Sequence, residues 1–193
     1  MRLPALVMAG GKGERFGEGE KPMALYRGRP LVRHVISSLE QAEKIGEIIV
    51  VTSPLTRKTE EYLRKKEWRI LRAPGRGYVE DMIYALKNLG LGPTLTMAAD
   101  LPLIRPGDVD AVVGEYLGQR EPALAVMVPK TLLLDMGLTP TIVYGDLVPA
   151  GINIVDGGDL HGPQRTVVMN NPRLAVNVNT RKDLQWLHRK AFK

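Results

Sequence analysis

The chain contains no cysteine among its 193 residues, which excludes disulfides, thiolate metal sites and a thiol nucleophile. Aromatic side chains are scarce as well, at 5%, too few to interleave with basic residues as a nucleic-acid binder would require. No apolar run approaches the ~20 residues that a membrane helix needs. The opening "MRLPALVMAGG" also lacks the long apolar segment and small-residue cleavage site of a secretory leader, and reads instead as a first strand. Only three histidines are present: His34 and His188 fall in helical stretches and His161 in a Gly-Pro loop, so none is expected to do acid–base chemistry. The missing cysteines carry no information on compartment, and a cytoplasmic location is the default expectation. There is no linker, repeat or biased tract, and the length suits a single domain, 1–193, with a sizeable core.

What the chain does have is positive charge. Twenty-seven Lys and Arg against 21 Asp and Glu give a formal charge of +6, which points to anionic partners without choosing among them. The bases are dispersed, and many sit on helical surfaces such as "RKTEEYLRKKE" and "RKDLQWLHRK", so nucleic acid is not an expected partner.

Strands and helices alternate over the first two thirds. Leu3–Ala9 is a short apolar run. Pro30–Lys44 carries Leu31, Val32, Val35, Ile36 and Leu39 at helical spacing, with proline where a first turn tolerates it. "EIIVVT" (Glu47–Thr52) is continuously apolar at its centre, as a strand covered on both faces would be. Ser53 and Pro54 have the character of an N-cap and first helical residue. Trp68–Ala73 is expected as a strand, Tyr78–Leu89 as a helix stopped by Gly90, Thr94–Ala99 as a strand and Pro106–Leu117 as a helix with acidic Asp108 and Asp110 near its start. After Glu121, "ALAVMVP", "TPTIVYGD", "VPAGINIV" and "RTVVM" are short, β-rich and separated by Gly or Pro. The strand "LAVNV" and a helix from Arg181 follow. The reading is an α/β, Rossmann-like doubly wound, mostly parallel sheet with helices on both faces and a β-rich C-terminal segment. Ligands of such sheets collect beyond the carboxyl ends of the strands. Gly10–Lys21, Thr52–Leu55, Pro74–Gly77 and Asp100–Pro102 are therefore the loops to inspect.

The first of these, "MAGGKGERFGEGEKP", sheds side chains between a strand and a helix and plants Lys12, Arg15 and Lys21 around the gap. Backbone N–H groups in such a turn approach anions closely. It is not a P-loop, because Gly11-Lys12 is followed by Gly13 rather than Ser or Thr. Nor is it the dinucleotide fingerprint, since Gly11, Gly13 and Gly17 miss that spacing by one residue and the second strand ends in Val51-Thr52 with no acid. It resembles the signature of the nucleotidyltransferases related to sugar-nucleotide pyrophosphorylases and molybdopterin guanylyltransferase, roughly A-G-G-x-G-x-R followed by K-P. That resemblance implies that Gly10, Gly11 and Gly13 supply close backbone to a nucleoside triphosphate. Lys12 and Arg15 would meet the β- and γ-phosphates, and Lys21 the α-phosphate.

Two further segments fit. Asp100 closes "LTMAADLP", where the family carries an aspartate that holds Mg²⁺; taken alone, an Asp after a strand is as readily a turn former or N-cap. "LAVNVNTRKDL" resembles the family's closing N-x-N-T motif, which places Asn177 and Asn179 near metal and substrate phosphate. On a strand the two amides would share one face, and a satisfied sheet-end network is the alternative.

"TSPLTRKTEEYL", "GRGYVEDM", "LAVMVPK" and "GDLVPAGINIV" resemble segments of the archaeal-type GTP:adenosylcobinamide-phosphate guanylyltransferases, with Asp146 standing where that pattern has glycine. The resemblance implies GTP and adenosylcobinamide phosphate as substrates and Mg²⁺ as cofactor. It leaves the oligomeric state open, a homodimer included. Guanine and ribose contacts would come from Thr52 and Ser53, from backbone around Ala9 and Pro74–Gly77, from Tyr78 and from Asp81, although Glu80 and Asp81 also suit a helix N-terminus. Ala150, Gly151 and Asn153 would face the acceptor, with Asn153 on its phosphate, unless Gly151 only relieves a strand bend.

Overall fold

In the computed structural model, which describes residues 1–190, the first strand, β1 (Leu3–Met8), is covered on both faces, and that requirement organises the fold. Successive strand residues point to opposite sides. Ala5 and Val7 enter one core and Leu6 and Met8 the other.

After β1 come a single 3-10 turn at Lys21–Met23 and a small hairpin, β2 (Leu25–Tyr26) and β3 (Arg29–Pro30). Then follow α1 (Leu31–Glu40), β4 (Ile45–Thr52), α2 (Arg57–Arg64), β5 (Ile70–Arg72), α3 (Tyr78–Leu89), β6 (Pro93–Ala98) and α4 (Pro106–Leu117). The rest is β7 (Ala123–Pro129), α5 (Lys130–Asp135), β8 (Leu147–Asp156), β9 (Gln164–Val168), α6 (Pro172–Ala175) and α7 (Arg181–Arg189). Seven strands form one sheet in the order β5-β4-β1-β6-β8-β7-β9. Pairs β5/β4, β4/β1, β1/β6 and β7/β9 are parallel, and only β8 runs against its neighbours.

Leu31, Val35 and Leu39 of α1 and Val109, Val112 and Val113 of α4 cover one face. Met82, Ala85 and Leu86 of α3 cover the other, against Leu6, Ile49 and Val51. Each fully buried Leu, Ile or Val contributes about 1.5–3 kcal/mol. The α/β reading with helices on both faces describes this architecture. Among the described residues no helix is long and apolar enough to cross a membrane.

Four local expectations are corrected. The first helix stops at Glu40, not Lys44, because the carboxylate of Asp110 accepts the N–H groups of Glu43 and Lys44 (3.1 and 2.8 Å) and turns the chain into β4. Ser53 is not an N-cap: α2 starts after Thr56, and Ser53 to Thr56 form a turn of their own. "TPTIVYGD" makes only an isolated bridge, Tyr144 to Leu147, and α5 is an unanticipated helix just before it. "LAVNV" is not a strand. Its first two residues end the single turn α6, and the Val178 N–H binds the Asp100 carbonyl instead of a ladder partner (3.0 Å).

Candidate nucleotide-transfer site

The carboxyl ends of the parallel strands β5, β4, β1 and β6 deliver their loops to one edge, where they enclose a cleft of about 770 Å³. Gly10 begins the first loop, where space for a side chain is tight. A Cβ there would lie 3.1 Å from Ser53 Cβ and 3.2 Å from the Thr52 carbonyl carbon, closer than the ends of β1 and β4 can readily accommodate. The loop is anchored from below. Phe16 is buried, the Arg181 guanidinium lies 5.1 Å from its ring centre, and Arg181 donates to the Glu18 carbonyl (2.6 Å). Glu20 accepts the N–H groups of Lys58 and Thr59 and the Thr59 hydroxyl (2.8, 2.7 and 2.6 Å), capping α2 and fixing the loop's exit. Lys12 and Arg15 stay exposed above it.

Across the cleft Asp100, in the turn just after β6, pairs with the Lys21 ammonium through its Oδ2. Its other oxygen, Oδ1, is buried without a hydrogen-bond partner, as is Oδ1 of Asn177. Buried carboxylate and amide oxygens without donors are costly, and they are the atoms a hard cation takes. Among the described residues no three His, Asp or Glu side chains cluster as a metal site. A divalent ion here would rest on one carboxylate, amide oxygen and substrate oxygens, which is how Mg²⁺ commonly binds. The donor set therefore fits.

Of the residues singled out from the sequence, Ala9, Gly10, Gly11, Lys12, Gly13, Arg15, Lys21, Gly75, Gly77, Tyr78, Asp81, Asp100 and Asn179 line the cleft. Asp81 is buried, and its Oδ1 accepts the N–H groups of Gly75 and Arg76 (3.0 and 3.2 Å), so it shapes that loop. The Tyr78 ring is open to the cleft while its hydroxyl is buried, which pushes its pKa up to about 12 despite hydrogen bonds with Thr96 and Asn153.

Thr52 and Ser53 do not line the cleft, and the expectation that their side chains meet a base is corrected. Both are fully buried: Thr52 donates to Glu60 (3.2 Å), and Ser53 donates to the Gly10 carbonyl (2.6 Å) and accepts the Leu55 N–H (3.1 Å). Ala150, Gly151 and Asn153 likewise lie outside the wall. Ala150 is fully buried, and Asn153 is engaged at the Tyr78 hydroxyl. Gly151 has φ +74° in a bulge of β8, and a Cβ there would be 3.1 Å from Asn177 Nδ2 and 3.3 Å from Ala98 Cβ. It therefore leaves room for the Asn177 amide beside β8. Asn177 is also off the wall, so the two asparagines do not share a strand face.

Leu55 and Arg76 line the cleft within loops that the sequence marked, although neither was singled out; Phe16 and Glu20, which hold the first loop, were missed. Arg76 had a signal, since it lies between Gly75 and Gly77. Glu20 and Phe16 had none, because their partners are distant in sequence.

The MobA-like NTP transferase domain profile matches residues 5–146. The chain is 35% identical over 193 residues to an adenosylcobinamide-phosphate guanylyltransferase of Methanocaldococcus jannaschii, covering 95% of this chain and 94% of that one. It is 35% identical over 123 residues to a probable molybdenum cofactor guanylyltransferase of Thermococcus kodakarensis, covering 61% and 55%. Among solved structures, a CMP:2-keto-3-deoxy-manno-octonic acid synthetase complexed with CTP superposes with a TM-score of 0.72 at 14% identity over 97% of both chains. At that identity the likeness speaks for the fold alone.

Proposed function

Since the chain belongs to the MobA-like NTP transferase family, we propose that it is a guanylyltransferase. It moves GMP from GTP to adenosylcobinamide phosphate, giving adenosyl-GDP-cobinamide and pyrophosphate. The observation that carries this reading is the cleft itself, where a glycine-rich loop with Lys12, Arg15 and Lys21 faces the buried carboxylate of Asp100. The acceptor is favoured by the likeness to the Methanocaldococcus jannaschii protein over almost the whole of both chains. The molybdenum cofactor relatives match a shorter stretch.

A phosphate oxygen of the acceptor forms the new bond to the α-phosphorus of GTP, and the bond from that phosphorus to the β-phosphate oxygen breaks. The nucleophile is already an anion, so no general base is required. The remaining demands are in-line placement and neutralisation of charge. Lys12 and Arg15 hold the departing pyrophosphate, and Lys21 leaves Asp100 to meet the α-phosphoryl oxygens. Asp100, Asn177 and Asn179 are the candidates to hold Mg²⁺. When bound, the ion neutralises phosphate charge and fixes the triphosphate's geometry. Asp81 keeps the Gly75–Gly77 backbone in place for base and ribose.

The test is pyrophosphate release with each of the four nucleoside triphosphates, with and without cobinamide phosphate. Release with GTP alone among the four, dependent on the corrinoid, supports the reading. Release that depends on molybdopterin instead reassigns the acceptor. No turnover with any acceptor leaves a nucleotide-binding module without chemistry and overturns the proposal.

A further inference from the structure

α7 opens with two side chains that serve different neighbours. Arg181 and Asp183 are two residues apart, about 200° around a helix of 3.6 residues per turn, so they point opposite ways. Arg181 reaches the glycine-rich loop, 163 residues away in sequence. It donates to the Glu18 carbonyl (2.6 Å), and its guanidinium lies 5.1 Å from the centre of the buried Phe16 ring. Glu18 sits between Gly17 and Gly19, whose φ values are +87° and +90°, and a Cβ on either glycine would meet nothing within 4 Å. Neither glycine is needed for space. What they supply is a left-handed backbone on each side of the carbonyl that Arg181 holds.

Asp183 serves the opposite wall. In a capping box the side chain at the third helical position takes the N–H of the N-cap residue. Here Asp183 Oδ2 accepts the Thr180 N–H (2.7 Å), while Thr180 Oγ1 accepts the Asp183 N–H (3.2 Å). The same Oδ2 also accepts the Thr180 hydroxyl (2.9 Å) and the N–H of Asn179 (3.0 Å), a residue of the cleft wall. One residue earlier, the Val178 N–H binds the Asp100 carbonyl (3.0 Å). A continuous line of contacts therefore runs from the loop through Arg181, Asp183, Asn179 and Val178 to Asp100. The Lys21–Asp100 ion pair is a second tie between the same two walls, but the reaction breaks it, since Lys21 leaves Asp100 for the phosphates.

We propose that the first turn of α7 is a brace, which keeps the glycine-rich loop in register with Asp100 and Asn179 once Lys21 has turned to the substrate. Arg181 and Asp183 are positioning residues. Neither lines the cleft, and each acts through the backbone it holds. The inference rests on the reading of the cleft as a nucleotide site and is indifferent to the acceptor.

Trypsin reads the loop in the free protein, because Lys12 and Arg15 are exposed within it and cleavage requires local opening. Arg181→Met keeps an apolar stem against Phe16 and loses the donor. Cleavage after Arg15 should quicken about tenfold in this variant, the factor one charge-assisted hydrogen bond accounts for. Asp183→Asn leaves Arg181 in place, yet should quicken the same cleavage by a smaller factor, because the turn carrying Arg181 is loosened. Calorimetric titration with a non-hydrolysable GTP analogue should show both variants binding more weakly than wild type. The deficit should be larger with magnesium than with EDTA, because an ion on Asp100 demands the loop in register, whereas general loosening would weaken both alike. Unchanged cleavage in Asp183→Asn, or equal deficits with and without magnesium, leaves two separate local anchors and overturns the brace. If the analogue fails to bind wild type as well, the nucleotide reading falls, and the cleavage rates still judge whether the two walls are coupled.

Discussion

Replacing Lys21 with alanine removes one half of a buried ion pair, and the two halves differ in a way that predicts an asymmetric result. The Asp100 side chain is 8% exposed and that of Lys21 is 21% exposed. Asp100 also has a second oxygen with no partner, so Lys21→Ala leaves a largely buried carboxylate without its counter-charge. Removing one member of a buried pair costs about 3–5 kcal/mol. The partial exposure of Lys21 puts this case at about 3 kcal/mol, or roughly 6–12 °C of melting temperature for a chain of this size. Asp100→Asn should cost less, about 1 kcal/mol, because the lysine stem can turn its ammonium to solvent. In Lys21→Ala/Asp100→Asn the stranded charge is gone, and about 1–2 kcal/mol of the first loss should return. Turnover should not follow stability: each single variant and the double should lose at least ~100-fold, because both groups act on the phosphates. Urea denaturation and pyrophosphate release on the same four proteins read the two quantities. Additive stabilities, or a double variant that regains turnover as it regains stability, would refute the reasoning.

Two other substitutions probe the framework behind the site. Gly151→Ala meets both a left-handed φ and atoms at 3.1 and 3.3 Å; it should destabilise the chain by about 1–3 kcal/mol, with reduced turnover as Asn177 is displaced. Thermal melting with a parallel activity assay checks both. Burial alone would raise the pKa of Asp108, but hydrogen bonds from Arg173, Asn171 and the Arg105 N–H outweigh it and lower the value below 3.8. A depressed carboxylate stabilises the fold above its unfolded pKa and ceases to do so as pH falls through its folded pKa. The stability gap between wild type and Asp108→Asn should therefore be full at pH 6 and shrink below about pH 4. A gap independent of pH across that range would contradict the assignment.

Much of the architecture was legible because local and tertiary preferences agree. Leu3–Met8 and Ile48–Val51 are apolar without interruption, and both strands are covered on two faces. Tyr78–Leu89 stops at Gly90, as its composition indicates. Two of the failures share one cause, which is a partner remote in sequence. Ser53 has the chemistry of an N-cap, yet its hydroxyl goes to Gly10, 43 residues away. "LAVNV" has the alternation of a strand, yet its backbone meets the Asp100 carbonyl rather than a neighbouring strand. "TPTIVYGD" is β-rich but finds no strand to pair with beyond one bridge. At the site, the glycines and cations of the loop were readable because an anion cradle demands those residue types in close order. The packing of Gly151 against Asn177 was not, because the fold brings the two together from distant parts of the sequence.

The central claim is that the loop from Gly10 to Lys21 cradles a triphosphate opposite Asp100. Crystals grown with magnesium and a non-hydrolysable GTP analogue test it most directly. The account predicts phosphate oxygens within hydrogen-bond distance of Lys12, Arg15 and Lys21, with Lys21 parted from Asp100 and the ion on the Asp100 carboxylate. A nucleotide lodged elsewhere, with the Lys21–Asp100 pair intact, would contradict it.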